Sequence, residues 1–153
     1  KPVVYTDGGS SPIQKHLPGR HDQKTHGNRR GGRLAKLTEE FGGVTYSLLS
    51  NTFPNEGFAL SIYPEHERII DGSQTYGQLA SEINDYLKDK KELLAKPDHH
   101  IGIWRSPDQQ VYFDISVVVT DQRLAGELAA KHKQLAYYDL KRGETVEVER
   151  SED

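Results

Sequence analysis

The order of strand and helix patterns after Phe58 is the feature that most constrains the fold of this chain. Alternating or helically spaced apolar residues mark six segments in turn, at 58–63, 76–95, 101–104, 111–119, 122–134 and 136–140. Strand, helix, strand, strand, helix, strand is the order of the split βαβ arrangement in ferredoxin-like domains. The sequence therefore predicts an α+β fold, an antiparallel sheet with both helices on one face.

Turn and capping residues support these boundaries. Thr75 and Gln78 fit a capping box at the start of the first helix, and Asp121 or Thr120 fits the cap of the second. Residues 106–108 predict a hairpin turn between the two middle strands. Alternating residues near 44–48 and 145–148 predict extra edge strands.

Residues 1–36 have a different composition and predict an extended basic arm. They hold eight Lys or Arg against two Asp, whereas the rest of the chain holds twelve basic and twenty-one acidic residues. Repeated Gly and Pro, including Gly31-Gly32, interrupt every periodic pattern in this segment. We therefore expect an arm over 1–36, an α+β domain over 37–150 and a frayed tail over 151–153.

The arm is the first candidate binding segment. Its polar side chains could contact a protein groove or a polyanion. The candidate residues are Lys15, His16, Arg20, His21, Asp22, Lys24, His26, Arg29, Arg30 and Arg33. The three histidines are spaced by five residues, which matches no zinc pattern, so we predict no metal site.

The run Lys15-His-Leu-Pro-Gly-Arg-His-Asp-Gln-Lys-Thr-His-Gly27 resembles a short motif that recurs in virion and head-morphogenesis proteins of tailed bacteriophages. Residues 57–64 and 111–119 resemble a phage-encoded domain found in the same kind of polypeptide. The resemblance implies a location in the phage head, with the host cytoplasm as the place of assembly. It implies capsid, portal or other head subunits as partners, and packaged DNA as a further possibility.

The outer face of the predicted sheet is the second candidate site. If the apolar strand residues face the helices, the side chains expected to point away are Ser61, Tyr63, Trp104, Tyr112, Asp114 and Tyr137. The aromatic residues among them are the candidate binding residues. Exposed aromatic residues on such a sheet can stack nucleic-acid bases, but the acidic charge of the body opposes phosphate. We expect the N-terminal arm or another subunit to cover this face.

Catalysis is a further functional hypothesis. The chain has no cysteine and no phosphate-binding glycine spacing. The acid–base clusters at 65–67 and 99–100 consist of adjacent residues, which diverge in an extended chain. His132 lies on an apolar helix stripe and predicts a half-buried packing role. We predict no catalytic residue, no cofactor and no metal.

Two further expectations concern the whole chain. No apolar run approaches the roughly 18 residues needed to cross a bilayer, so the sequence predicts a soluble protein. The chain contains no methionine, even at position 1, which favours a proteolytic product or a fragment of a longer protein.

These observations favour a structural or interaction component of a tailed-phage particle, a minor head or capsid-associated protein whose basic arm docks along other virion proteins. One alternative is a nucleic-acid-binding accessory domain. Another is a small phage-encoded enzyme.

Overall fold

Seven strands and four α-helices make up residues 28–148, the part of the chain that the computed structural model describes. The helices are α1 (Asn28–Phe41), α2 (Tyr76–Asp89), α3 (Lys91–Leu94) and α4 (Gln122–Lys131). The strands are β1 (Gly43–Tyr46), β2 (Phe58–Leu60), β3 (Arg68–Asp71), β4 (His99–Arg105), β5 (Gln110–Val119), β6 (Ala136–Asp139) and β7 (Glu144–Glu147). A short 3-10 helix spans Pro64–His66.

The described strands form one antiparallel sheet in the order β1-β4-β5-β2-β6-β7. The ten-residue β5 is the central strand of this sheet. Every second residue from Val111 to Val119 is β-branched or aromatic and lies on one face, which suits a strand packed against helices on that face. β5 pairs along one edge with β4, and along the other with β3 and then β2. The predicted α+β fold with an antiparallel sheet is confirmed.

Both hydrophobic clusters of the described residues lie on the same sheet face. Residues directly opposite in an antiparallel pair share a face, so Ile101 opposite Ile115 and Leu60 opposite Val117 all point the same way. α1 and α2 pack over the first pair, and α4 packs over Leu60. The predicted placement of α2 and α4 on one face is therefore confirmed.

α2 begins as predicted and ends earlier. Thr75 accepts a hydrogen bond from the backbone N–H of Gln78, whose side chain accepts one from the backbone N–H of Thr75. The helix stops at Asp89, and after Lys90 the short α3 continues to Leu94. The apolar stripe predicted over 76–95 is thus carried by two helices. Similarly, α4 ends at Lys131 rather than at residue 134.

Residues 28–36 are helical, so the predicted extended arm is wrong for this part of the chain. Leu34 and Leu37 of α1 are buried against the sheet. The glycine pair that suggested a broken backbone permits close packing instead. The N–H of Gly31 donates to Asn84 Oδ1 at 3.0 Å, and a Cβ at Gly31 would lie 2.5 Å from the carbonyl oxygen of Ala80. Residues 1–27 and 149–153, with the tail predicted over 151–153, lie outside the described residues.

The strand predicted over 58–63 ends at Leu60. The chain then leaves the sheet through the Pro64–His66 helix and returns as β3, a strand that was not predicted from the sequence. The other hairpins agree with prediction. The backbone N–H of Ser106 donates to the carbonyl of Gln110 at 2.8 Å and closes the β4–β5 turn, and β6 pairs with β7.

Candidate functional site

The sheet face opposite the helices carries a groove of about 460 Å³. Even-numbered residues of β4 and β5 point to this face, because their odd-numbered neighbours are buried under the helices. Small or polar side chains form the groove floor: Thr45, Ala59, Ser61, Gly102, Asp114 and Ser116. Valine or isoleucine at these positions would fill the space, so the groove is a direct result of the small residues.

One end of the groove is an aromatic shelf, formed by Trp104 and Tyr112. The two residues are opposite each other in the β4–β5 register, and their rings stack with centroids 4.4 Å apart and planes 11° apart. Ile69 lies opposite Tyr112 on its other side and is 47% exposed. The shelf therefore offers a flat, partly accessible apolar surface.

A carboxylate lies in the row of residues next to the shelf. Asp114 is only 3% exposed and accepts a hydrogen bond from Ser116 Oγ at 3.2 Å. Its neighbour across the strand pair is Gly102, where a Cβ would lie 2.4 Å from Asp114 Oδ1. A side chain at 102 would collide with the carboxylate, so glycine at this position makes room for it.

The opposite side of the groove is a rim loop, formed by residues 133–135. Lys133 has φ of +58°, and the N–H of Gln134 donates to the carbonyl of Ala129 at 2.7 Å, which fixes the loop to the end of α4. The N–H of Val148 donates to the carbonyl of Leu135 at 2.9 Å. The Leu135 side chain is 64% exposed at the rim. The groove thus combines an aromatic shelf, a buried carboxylate and an apolar rim.

Two of the four aromatic residues predicted on the outer face lie there, namely Trp104 and Tyr112. Tyr63 does not, because the chain leaves the sheet before Pro64 and turns the ring toward the helix side. There its hydroxyl lies 2.8 Å from His99 Nε2. The predicted outer-face position of Tyr137 is also wrong, because its ring packs edge-on against Phe58 under α4 with ring centroids 5.7 Å apart.

The groove contains residues that the prediction of aromatic binding residues did not include. Asp114 and Ser61 were expected to point outward, but not to act in binding. Tyr138, and not Tyr137, occupies the outer face of β6, where it lines the groove. The signal available in the sequence was the cluster of Gly, Ala and Ser in strand positions.

The arm residues predicted to bind a partner divide into two groups. Lys15, His16, Arg20, His21, Asp22, Lys24 and His26 lie outside the described residues. Arg29 is exposed at the start of α1. Arg30 Nε donates to the Tyr46 hydroxyl at 2.8 Å, and the Arg33 guanidinium lies 5.6 Å from the ring centroid of Phe53. Arg30 and Arg33 thus contribute to packing inside the domain.

These arginines also affect the buried phenol beneath them. Burial raises the pKa of Tyr46, and the positive charges of Arg30 and Arg33 partly oppose that increase. The Tyr46 hydroxyl donates in turn to Asn51. This network anchors the start of α1 to the loop after β1.

The acid–base clusters lie mainly on the helix side of the sheet. His99 Nδ1 lies 2.9 Å from the carbonyl of Pro97, and because a carbonyl can only accept, Nδ1–H is the donor of that hydrogen bond. In this tautomer Nε2 accepts a hydrogen bond from the Tyr63 hydroxyl. His66 Nδ1 lies 3.1 Å from Lys90 Nζ. Both groups are engaged in packing and hydrogen bonding within the domain.

The remaining histidines have structural surroundings. His100 is buried on the outer face, where loss of hydration lowers its pKa and the hydrogen bond to the carbonyl of Asp98 partly opposes that change. His132 is exposed at the end of α4, so its predicted half-buried position is wrong. Within residues 28–148 no three His, Asp or Glu side chains come together as a metal site.

No family model, curated protein or solved structure matches the chain. The outer-face groove is therefore the observation from which a function can be argued. None of the helices in residues 28–148 has the length and apolar character needed to span a membrane.

Proposed function

We propose that the chain is an interaction component of a tailed-phage particle, and that its outer-face groove binds an extended, basic segment of another virion protein. The observation that carries the binding proposal is the position of the buried Asp114 carboxylate beside the aromatic shelf. An aromatic face next to a carboxylate attracts a guanidinium or ammonium group by both cation–π and charge-assisted interactions.

The shape of the groove favours an extended polypeptide as the partner. The floor of small residues runs across four neighbouring strands between the shelf and the rim loop. An extended segment can place one basic side chain beside Asp114 and rest an apolar side chain against Leu135 at the rim.

The same carboxylate disfavours nucleic acid on this face. Asp114 in the floor repels phosphate. Binding rather than catalysis also fits the Tyr63–His99 pair, which lies on the helix side, away from the groove. The nucleic-acid alternative nevertheless makes a distinct prediction in the titration below.

The ferredoxin-like arrangement is part of this proposal. The order β4-β5-β2-β6, with every pair antiparallel, supports such a unit in the centre of the sheet. In this view β1, β3 and β7 are additions to it. The helices of this unit cover one face and leave the other available to a partner.

A fluorescence titration tests the binding proposal. Trp104 is the single tryptophan of the chain, so its emission reports directly on the groove. The probe is a capped Gly-Ser peptide that carries one arginine, with norleucine in place of the arginine as the control peptide. We expect saturable binding of the arginine peptide, and roughly tenfold weaker binding to Asp114→Asn, since loss of one charge-assisted contact costs about 1.4 kcal/mol or more.

Asp85→Asn is the matched control variant, because Asp85 is exposed on α2 on the other side of the sheet. It should bind the arginine peptide as the unaltered chain does. Tighter binding of a single-stranded oligonucleotide than of the peptide would instead support the nucleic-acid alternative. Equal binding by Asp114→Asn and Asp85→Asn would overturn the proposed site.

Incorporation into particles tests the virion part of the proposal, which is based on the resemblance of residues 15–27. A chain with these residues scrambled should be lost from purified particles, as measured by mass spectrometry. Replacement of Lys15, Arg20 and Lys24 by glutamine in the unaltered order should have a smaller effect. Normal incorporation of the scrambled chain, with loss on charge removal, would favour an electrostatic tether to packaged DNA.

A further inference from the structure

Lys133, in the rim loop, has a backbone conformation that favours glycine. Its φ is +58°, and it follows α4 in a Schellman motif. The N–H of Lys133 donates to the carbonyl of Ala130 at 3.1 Å. The N–H of Gln134 donates to the carbonyl of Ala129 at 2.7 Å. Glycine has no Cβ and adopts this conformation at no steric cost, so lysine makes the helix end less stable than glycine would.

Capping of α4 does not require a lysine at this position. A cation near a helix C-terminus interacts favourably with the helix dipole, but Lys131 already supplies one in the last turn of α4. Lys133 lines the groove on the side opposite the aromatic shelf. A positive charge at this side of the groove is therefore what lysine provides and glycine does not.

We infer that Lys133 binds a carboxylate of the partner segment, two to four residues away from the basic residue that Asp114 binds. This inference rests on the proposed function, because that basic residue is the first point of contact. The carboxylate is a second recognised group, and Lys133 is the residue that selects it. The partner segment is then defined by a pair of opposite charges and not by basic residues alone.

The order of the strands sets the spacing of the two charges. Asp114 lies on β5, and the rim loop leads directly into β6, with β2 between these two strands. Two inter-strand steps correspond to about 10 Å. An extended chain advances about 3.3 Å per residue, so side chains two or four positions apart are separated by about 7 or 13 Å and point to the same side. The long side chain of Lys133 can reach a carboxylate at either spacing.

The two sides of the groove carry charges of opposite sign. A segment with basic residues throughout is attracted by Asp114 and repelled by Lys133, whereas a segment with a carboxylate at the second position is attracted by both. Lys133 is exposed, so its contact should contribute as a surface ion pair does, which corresponds to roughly two- to fivefold in affinity.

Titration of Trp104 fluorescence with two capped Gly-Ser peptides tests the inference. Both peptides carry one arginine. One has an aspartate four positions away on each side of the arginine, and the other has asparagine at these positions. We expect the unaltered chain to bind the aspartate peptide roughly two- to fivefold more tightly.

Lys133→Gln should abolish this preference and leave the affinity for the asparagine peptide unchanged. Lys131→Gln is the matched control, because it removes the same charge from an exposed position of α4 that does not line the groove. It should keep the preference.

Lys133→Gly separates binding from stability. Glycine removes the conformational cost at a φ of +58°, so this variant should have a Tm roughly 2–4 °C above that of the unaltered chain while it loses the preference for the aspartate peptide. A lower Tm would show that lysine stabilises the helix end and would overturn the inference.

The outcomes also distinguish failure of this inference from failure of the proposed function. Equal binding of the two peptides by the unaltered chain, or a preference that persists in Lys133→Gln, would overturn the inference and leave the site for a basic residue in place. A preference for aspartate that remains when norleucine replaces the arginine, and that also remains in Asp114→Asn, would support the Lys133 contact and contradict the proposed function. Binding of neither peptide would overturn both.

Discussion

Replacement of Leu34 by alanine tests whether α1 belongs to the folded domain. The Leu34 side chain is 0% exposed and packs in the cluster formed by α1, α2, β1, β4 and β5. Truncation of a fully buried leucine removes its transfer free energy and leaves a cavity, which together cost about 3 kcal/mol. Alanine has the best helix propensity, so the loss comes from packing and not from the helix backbone.

Urea denaturation followed by circular dichroism measures the change. We expect Leu34→Ala to lower the free energy of unfolding by about 3 kcal/mol and the Tm by roughly 10–15 °C. Lys36→Ala, at an exposed position of the same helix, should change the free energy by less than about 0.5 kcal/mol.

The alternative makes a clear contrary prediction. If residues 28–36 formed an extended arm, Leu34 would be exposed and its truncation would have the small effect expected for Lys36→Ala. A loss below about 1 kcal/mol for Leu34→Ala would therefore refute the packing argument. A change in the denaturant slope m for Leu34→Ala alone would indicate local unfolding of α1 instead.

Four other substitutions test separate parts of the domain. Gly102→Ala should destabilise the protein by about 1–3 kcal/mol, because the new Cβ meets the Asp114 carboxylate, whereas Gly126→Ala in α4 has open space and should stabilise it by about 0.5–1 kcal/mol, both measured by thermal unfolding. Burial lowers the pKa of His100 below 6.5, so in this pH range the unfolded state binds more protons at this residue than the folded state does. The free energy of unfolding should therefore fall as the pH drops through 6.5, and it should fall less in the His100→Gln variant. Tyr86→Phe removes the 2.7 Å hydrogen bond to a carbonyl of the 3-10 helix and should cost about 1–2 kcal/mol in urea denaturation; no loss would contradict that role.

The sequence predicts most of the sheet because its strands alternate clearly and its turns contain recognisable residues. The prediction is wrong where a short sequence pattern is compatible with two different structures. Gly31-Gly32 is equally consistent with a broken backbone and with a close helix crossing, and only the position of α2 decides between them. The spacing of Leu34, Leu37 and Phe41 was the available signal for α1.

The candidate site was predictable only in part. Trp104 follows the alternation of a long strand, so its outward position could be derived from the pattern. Tyr137 and Tyr138 are adjacent, and a shift of one residue in register exchanges the faces of the two rings. The sheet face on which the Tyr63 side chain lies depends on where β2 ends, and the 3-10 helix that begins at Pro64 determines that end. The groove itself depends on four strands at once, so no local pattern could reveal it.

The position of β2 has a consequence for folding on the ribosome. This three-residue strand is hydrogen-bonded between β5 and β6, and β6 is among the last elements of the described chain to be synthesised. The β4–β5 hairpin has a local turn and can form early. Leu60 and Phe58 of the nascent chain, however, lack their packing neighbours in α4 and β6 until those elements have been synthesised. Chains that terminate before Ala136 would leave an unpaired strand edge and an uncovered apolar patch, which are the features that chaperones and proteases recognise.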